Sequence, residues 1–349
     1  MTASAIESQS RASSQLNSSL KLRDIIDTLP KEVFVKDARK AWFRVFINVL
    51  CVGLGYWGLI VSPWFLLPFL WIFTGTALQG LFVIAHDCGH RSFSNRNWVN
   101  DLVGHAMTLP LMYPFHAWRI LHNYHHKHTN KLEVDNTWNP FTTDFYSNSP
   151  WLLRWGYRRM RGRFWWIGSI LHWGMLHFNW RQFEGKQRQQ VRFSVLLVLI
   201  TGAIAFPALI ITTGIWGLVK FWLIPWMVYH FWMSSFTLFH HTMPEIPFTE
   251  ESTWNEALAQ LSGTVHCKYP WWVEFLCHDI NVHIPHHVCS AIPWYNLRPA
   301  YASLKENWGE YLYPECEFSL SLINKVADRC HLYNFEHNYV SFKEHQNKS

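Results

Sequence analysis

WFLLPFLWIFTGTALQGLFVIAHDCGH, residues 64–90, decides how the whole chain is read. Residues 64–85 carry no charge and are long enough to cross a hydrocarbon core about 30 Å thick. The run passes without a break into His86-Asp-Cys-Gly-His90. A helix continuing past Ala85 puts His86 and His90 on one face, because residues i and i+4 are surface neighbours. Two more clusters have helical spacing: His122-Asn-Tyr-His125-His126 and His283-Ile-Pro-His286-His287. The third fits a helix if Pro285 lies in or near its first turn.

Eight imidazoles from three segments exceed what one four-coordinate zinc needs. They fit two metal ions in a nitrogen-rich site. Imidazole suits Zn, Cu, Fe and Ni. Cys88 lies on the far side of the wheel from His86 and is not read as a ligand. His105, His116, His128, His172, His177, His230, His266 and His278 stand outside the clusters and read as packing or hydrogen-bonding residues. His240-His241 follows the last apolar run and offers one plausible ninth ligand. Metal-bound His usually donates its other ring nitrogen to a carboxylate or carbonyl. Asp87, Asp101, Asp135 and Asp279 lie close enough in sequence to serve.

Working outward, three other apolar runs appear: Phe43–Val61, Phe193–Thr213 and Ile215–Phe239. Ser62 and Pro63 alone separate the first two runs, and Gly214 separates the last two. The expectation is an all-α membrane protein with four transmembrane helices in two hairpins. A helical cap, residues 86–192 and 240–349, holds the His-rich site. Residues 91–192 carry 14 Lys or Arg against five Asp or Glu. Positive-inside bias puts that side in the cytoplasm. Trp98–Phe115 reads as a re-entrant or interfacial segment, and Phe164–Trp180 as an amphipathic interfacial helix.

Composition agrees. The chain has 349 residues, 49% hydrophobic, with 22 Trp and 15% charged, against about 25% charged in soluble domains. Trp at this density points to a membrane interface. The net charge of +6 is spread among Trp and flanks apolar runs, so it reads as topology-setting rather than nucleic-acid binding. Seven Cys form no C-x-x-C pair and read as free thiols facing a reducing compartment. Residues 1–20 are polar and Ser-rich and read as a disordered tail without a cleavable signal; 21–349 read as a single domain.

An all-His site at the membrane surface points to oxygen activation aimed at an alkyl chain. Iron can cycle through the oxidation states this requires, and zinc cannot. A His-rich metal transporter is the rival from another class. Transporters place polar ligands near the bilayer midplane, whereas the clusters here lie outside the runs.

The wording around the clusters resembles the membrane-bound fatty acid desaturases. HDCGHRSF, WVNDLVGH, YPFHAWR, HTNKLEVDNTW and HDINVHIPHH are similar to the acyl-lipid omega-6 (Δ12) desaturases of cyanobacteria and plastids. The resemblance covers about residues 40–310. It implies a non-haem di-iron centre that uses O₂ and two electrons. It also implies a cis double bond placed at Δ12 of a glycerolipid-bound oleoyl chain, giving a linoleoyl chain, with ferredoxin as donor. The implied ligands are His86, His90, His122, His125, His126, His283, His286 and His287. The stretch Thr-Met-Pro-Glu-Ile-Pro after His241 makes His241 the ninth, although His240 departs from the family's more common Gln. The resemblance further implies a multi-pass protein of the plasma or thylakoid membrane, if cyanobacterial. An omega-3 desaturase, hydroxylase or ketolase of the same superfamily would carry the same site.

Overall fold

The computed structural model describes residues 20–348. The expected tail, 1–20, lies outside the described residues except for Leu20. That residue packs against the cluster that includes Ile25 and Leu29, and its carbonyl accepts from Asn255 Nδ2.

The principal helices are α1 (Ala38–Val61), α2 (Leu67–Gly89), α3 (Asn97–Thr108), α4 (Phe115–Lys127), α5 (Trp151–Arg161), α6 (Gly168–Leu176), α7 (Gly185–Leu218), α8 (Ile224–His241), α9 (Glu256–Ser262), α10 (His283–Val288) and α11 (Leu297–Trp308). Asp37 starts α1 by accepting from the Arg39 and Lys40 backbone N–H groups. Ser62-Pro63 ends it, because proline supplies no N–H to continue the ladder. Helix α2 is the central element, packed between α1 and α8. Asn48 Nδ2 donates to Ala77 O, and Trp232 Nε1 donates to Thr76 Oγ1.

Three stretches are long and apolar enough to cross a membrane: Ala38–Val61, Trp64–Gly89 and Gly185–His241. α1 and α7 expose large apolar side chains, with Ile60 at 64% and Ile211 at 83%. Such surfaces are at home in hydrocarbon and not in water. The third stretch does not run straight. Gly214 has φ 72° and ψ 178°, a conformation essentially restricted to glycine. In a continuous helix Phe206 and Trp222 would be about 24 Å apart. Their ring centroids are 4.6 Å apart. The chain therefore reverses at Gly214, where the boundary between the third and fourth apolar runs was expected. α7 begins at Gly185, earlier than the apolar run itself.

Two expectations need correction. Phe164–Trp180 is not one interfacial helix. Only Gly168–Leu176 is α-helical, with short 3₁₀ turns on either side. Ile170 and Trp173 pack inward beside Tyr113 and Trp226, and Trp173 Nε1 donates to Met112 O. The amphipathic helix is α5, which exposes Trp151, Leu152 and Trp155 while burying Tyr157 and Arg161. The chain is also not purely α. Phe141–Thr142 pairs with Leu332–Asn334, which pairs with Asn338–Val340; Cys267–Lys268 pairs with Cys316–Glu317. Leu332 and Cys267 are fully buried. Their backbone groups need partners, and strand pairing supplies them. The seven cysteines are free thiols.

Gly214→Val should lower stability by about 1–3 kcal/mol, because no other residue holds this backbone conformation without strain. Gly156→Ala, at a helical position where an added Cβ meets nothing, should leave it unchanged or slightly raised. Thermal unfolding in detergent measures both, and equal midpoints would contradict the turn.

Candidate metal centre

Four helices deliver nine imidazoles to one level. The C-terminal end of α2 carries His86, with His90 capping it; α4 carries His122, His125 and His126. The end of α8 carries His241, and α10 carries His283, His286 and His287. Pro285 sits in the first turn of α10, where its missing N–H costs no helical bond. Gly89 is required beside His90 because a Cβ there would run into the Trp118 ring. Trp118 in turn stacks on His122, with ring centroids 4.7 Å apart and planes 22° from parallel.

The nitrogens fall into two groups. His86, His90, His122, His126 and His286 place theirs within 4.8 Å of one another, and so do His125, His241 and His287. His283 joins the second group: its Nε2 lies 3.0 Å from His241 Nε2 and 3.1 Å from His287 Nε2. In the first group, Nε2 of His122 lies 3.1 Å from those of His86 and His126, and His286 Nε2 lies 3.0 Å from His126 Nε2. Two ligands at right angles on an ion, with metal–nitrogen bonds of about 2.1 Å, stand about 3.0 Å apart. His125 Nε2 and both ring nitrogens of His90 are buried without a hydrogen-bond partner. Spacing and orphaned nitrogens both fit bound metal ions.

Electrostatics point the same way. Burial pushes the His122, His126, His286 and His287 imidazoles well below the usual range, and the repulsion of neighbouring imidazolium charges adds to it. Burial likewise takes His90 and His283 down to about 3. Neutral imidazoles keep the lone pairs that a metal requires.

The candidate carboxylates divide. Asp135 Oδ1 accepts from His125 Nδ1 at 2.7 Å, which turns His125 Nε2 toward the second group. The Asp135 carboxylate also accepts from the Asn130 and Thr137 backbone N–H groups. Asp87 Oδ1 is 3.7 Å from His86 Nδ1, outside hydrogen-bond reach, and its other oxygen accepts from Trp294 N. Asp101 and Asp279 do not orient any cluster histidine. Asp101 pairs with Arg91 at 2.9 Å and Asp279 with Arg298 at 2.6 Å, each drawn outward by the nearer guanidinium.

His240 does not join either group. Its ring stacks on Phe236 while its carbonyl accepts from Val265 N. None of the eight histidines read as packing residues enters either group, although His172 and His177 line a neighbouring cavity. Sequence reasoning missed Gln260, whose Oε1 accepts from His287 Nδ1 at 2.9 Å and whose Nε2 donates to His126 O. It lies on α9, remote in sequence, and nothing local marks it. Trp118 was within reach, since it precedes His122 by one helical turn.

That cavity, about 300 Å³, is lined by Leu121, Leu171, Met175, Leu176 and Met233 along its apolar wall. Trp118 and His122 form the side nearest the imidazoles. It has the size and character of a small-molecule site.

The metal-free protein should lose stability as pH falls below about 6.5. There the unfolded chain takes up protons that the buried imidazoles refuse, down to the values near 3 of His90 and His283. Thermal midpoints in detergent after chelation should therefore drop between pH 7 and pH 4. A flat profile would contradict the neutral cluster.

The family model described as fatty acid desaturase matches residues 62–319. The chain is 60% identical to the sn-1 oleoyl-lipid 12-desaturase of a Picosynechococcus species, over 94% of each chain. It is 56% identical to the protein of that name from Anabaena variabilis, over 99% of each. It is 48% identical to the chloroplastic omega-6 fatty acid desaturase of Brassica napus, over 92% of this chain and 72% of that one. By matched length, relatedness and the histidine groups together, the chain belongs to the fatty acid desaturase family.

Proposed function

We propose that the protein inserts a cis double bond at Δ12 of an oleoyl chain esterified to a membrane glycerolipid, giving a linoleoyl chain. The observation that carries this reading is the apolar cavity walled by His122 and Trp118. It offers an alkyl chain a dry seat beside the imidazoles. The relatives named for sn-1 oleoyl lipids supply the position and the carbon number.

His86, His90, His122, His126 and His286 would hold one iron ion, and His125, His241, His283 and His287 the other. Bound iron would supply the O₂ activation that an unactivated C–H bond needs. The balance is one oleoyl chain, O₂, two electrons and two protons giving one linoleoyl chain and two waters. The protein's own residues position and exclude. Asp135 fixes the His125 tautomer, and Gln260 fixes His287. Leu121, Leu171 and Met233 keep water from the chain. Tight apolar walls hold two adjacent methylene groups at a set depth, which is how position becomes specificity.

The reversal at Gly214 supports a reading with four membrane crossings, and positive-inside bias on residues 91–192 supports a site on the cytoplasmic side. The same basic segment suits encounter with an acidic reductant such as ferredoxin. On this reading the protein is a multi-pass membrane enzyme, of the plasma or thylakoid membrane if cyanobacterial.

The test is expression with a ferredoxin in a host that contains 18:1Δ9 and no 18:2. Lipid analysis should find 18:2Δ9,12. Absence of that product despite membrane insertion would refute the Δ12 reading, and a hydroxylated product would replace it. In the same host His125→Ala should abolish the product. Asp135→Asn should lower it about 10–100-fold, the usual cost of losing a carboxylate that orients a ligand. His337→Ala, at an exposed position, should leave it unchanged.

A further inference from the structure

One charged side chain lines the cavity with no carboxylate partner among the described residues. Arg161, the last residue of α5, is 4% exposed and lines the cavity. None of the ion pairs among the described residues includes it. Its Nη2 donates to Trp138 O, and its guanidinium lies 5.6 Å from the Trp138 ring centre and 5.8 Å from that of Tyr157. Those contacts fix the plane of the group. Its Nη1 is buried and has no hydrogen-bond partner among the described residues.

A buried guanidinium without a carboxylate is costly, and an unsatisfied N–H adds to the cost. Structure held at such a cost marks a site that a ligand completes. The lining of the same cavity limits the ligand. Most of the wall is Leu, Met and aromatic carbon, which suits an alkyl chain and little else. Arg161 is the guanidinium of this lining, and Asn136, Thr137 and Asn139 are among its neutral polar groups. The polar group joined directly to the alkyl chain of an acyl glycerolipid is the ester, whose carbonyl oxygen is its stronger acceptor. It is an acceptor and it is uncharged, so it enters a dry cavity far more cheaply than a phosphate does. The exposed Trp151, Leu152 and Trp155 of the same helix are typical of a membrane interface, the depth at which ester groups lie.

We infer that Arg161 Nη1 donates a hydrogen bond to the ester carbonyl of the acyl chain undergoing desaturation, and so anchors the carbon from which the enzyme counts. This rests on the acyl-lipid reading above. Arg161 is a positioning residue. It touches the substrate at its carboxyl end and acts on the reacting carbons through the length of chain between.

The test compares full-length enzyme, reconstituted in vesicles with an electron donor, on two pairs of lipids. One pair is a galactolipid with an sn-1 oleoyl ester and its sn-1 octadecenyl ether analogue, which lacks only the carbonyl. The other is the same pair built on phosphatidylglycerol. Wild-type enzyme should favour ester over ether by about tenfold or more in kcat/KM, the effect of a charged hydrogen bond, with both headgroups. Arg161→Gln should act on ester and ether equally and spread the new double bond over neighbouring positions. Arg161→Lys should restore part of the discrimination. The wild-type comparison alters no residue, so a variant that fails to fold leaves the test intact.

Equal use of ester and ether by wild type would overturn the inference. So would discrimination that persists in Arg161→Gln, or a loss confined to the anionic lipid, which would assign Arg161 to a phosphate. A wild-type enzyme inactive on every ester lipid would instead remove the acyl-lipid reading, and this inference with it.

Discussion

Seven of the nine clustered imidazoles face one another across about 3 Å, and that crowding is the constraint on which the rest of the fold depends. Lone pairs brought that close repel unless a proton or a metal ion lies between them, and one metal ion relieves several at once. Bringing them together takes the end of a buried central helix, a second helix beneath it, the end of the last long helix and a single turn near the C-terminus. α2 is buried along its later half because its end must enter this cluster. α1 and α7 have no such task and turn apolar side chains outward. The small sheets tie the C-terminal segment back to residues 141–142 and 267–268.

The site and the cavity share residues, and that sharing links packing to chemistry. Trp118 occupies the space that Gly89 leaves, stacks on His122 and forms part of the cavity wall. One ring thus sets the angle of an imidazole and forms part of the cavity wall. Asp135 and Gln260 act from behind, fixing ring orientations without entering the cavity. The family supplies the chemistry of the group bound, and these contacts supply its placement.

Much of this was legible in the sequence, for physical reasons. Helical spacing alone puts His122, His125 and His126 on one face. The uncharged run ending at Ala85 fixes where His86 emerges. Gly214 marks the reversal because only glycine takes its backbone angles. What the sequence hid was long-range. Asp101 and Asp279 also lie near clusters in sequence, but Arg91 and Arg298, ten and nineteen residues from them, claim them. The choice between His240 and His241 depends on the last turn of α8, where one more residue rotates the ring by about 100°. Phe164–Trp180 has the composition of a surface helix and is instead folded into the cavity wall, a matter of tertiary packing that composition does not encode.

The central claim is two metal centres, each built from one of the two groups of imidazoles. Metal analysis of the purified full-length protein, expressed with ample iron, tests it most directly. The account predicts two iron ions per chain. A single ion per chain, or zinc in place of iron, would contradict it.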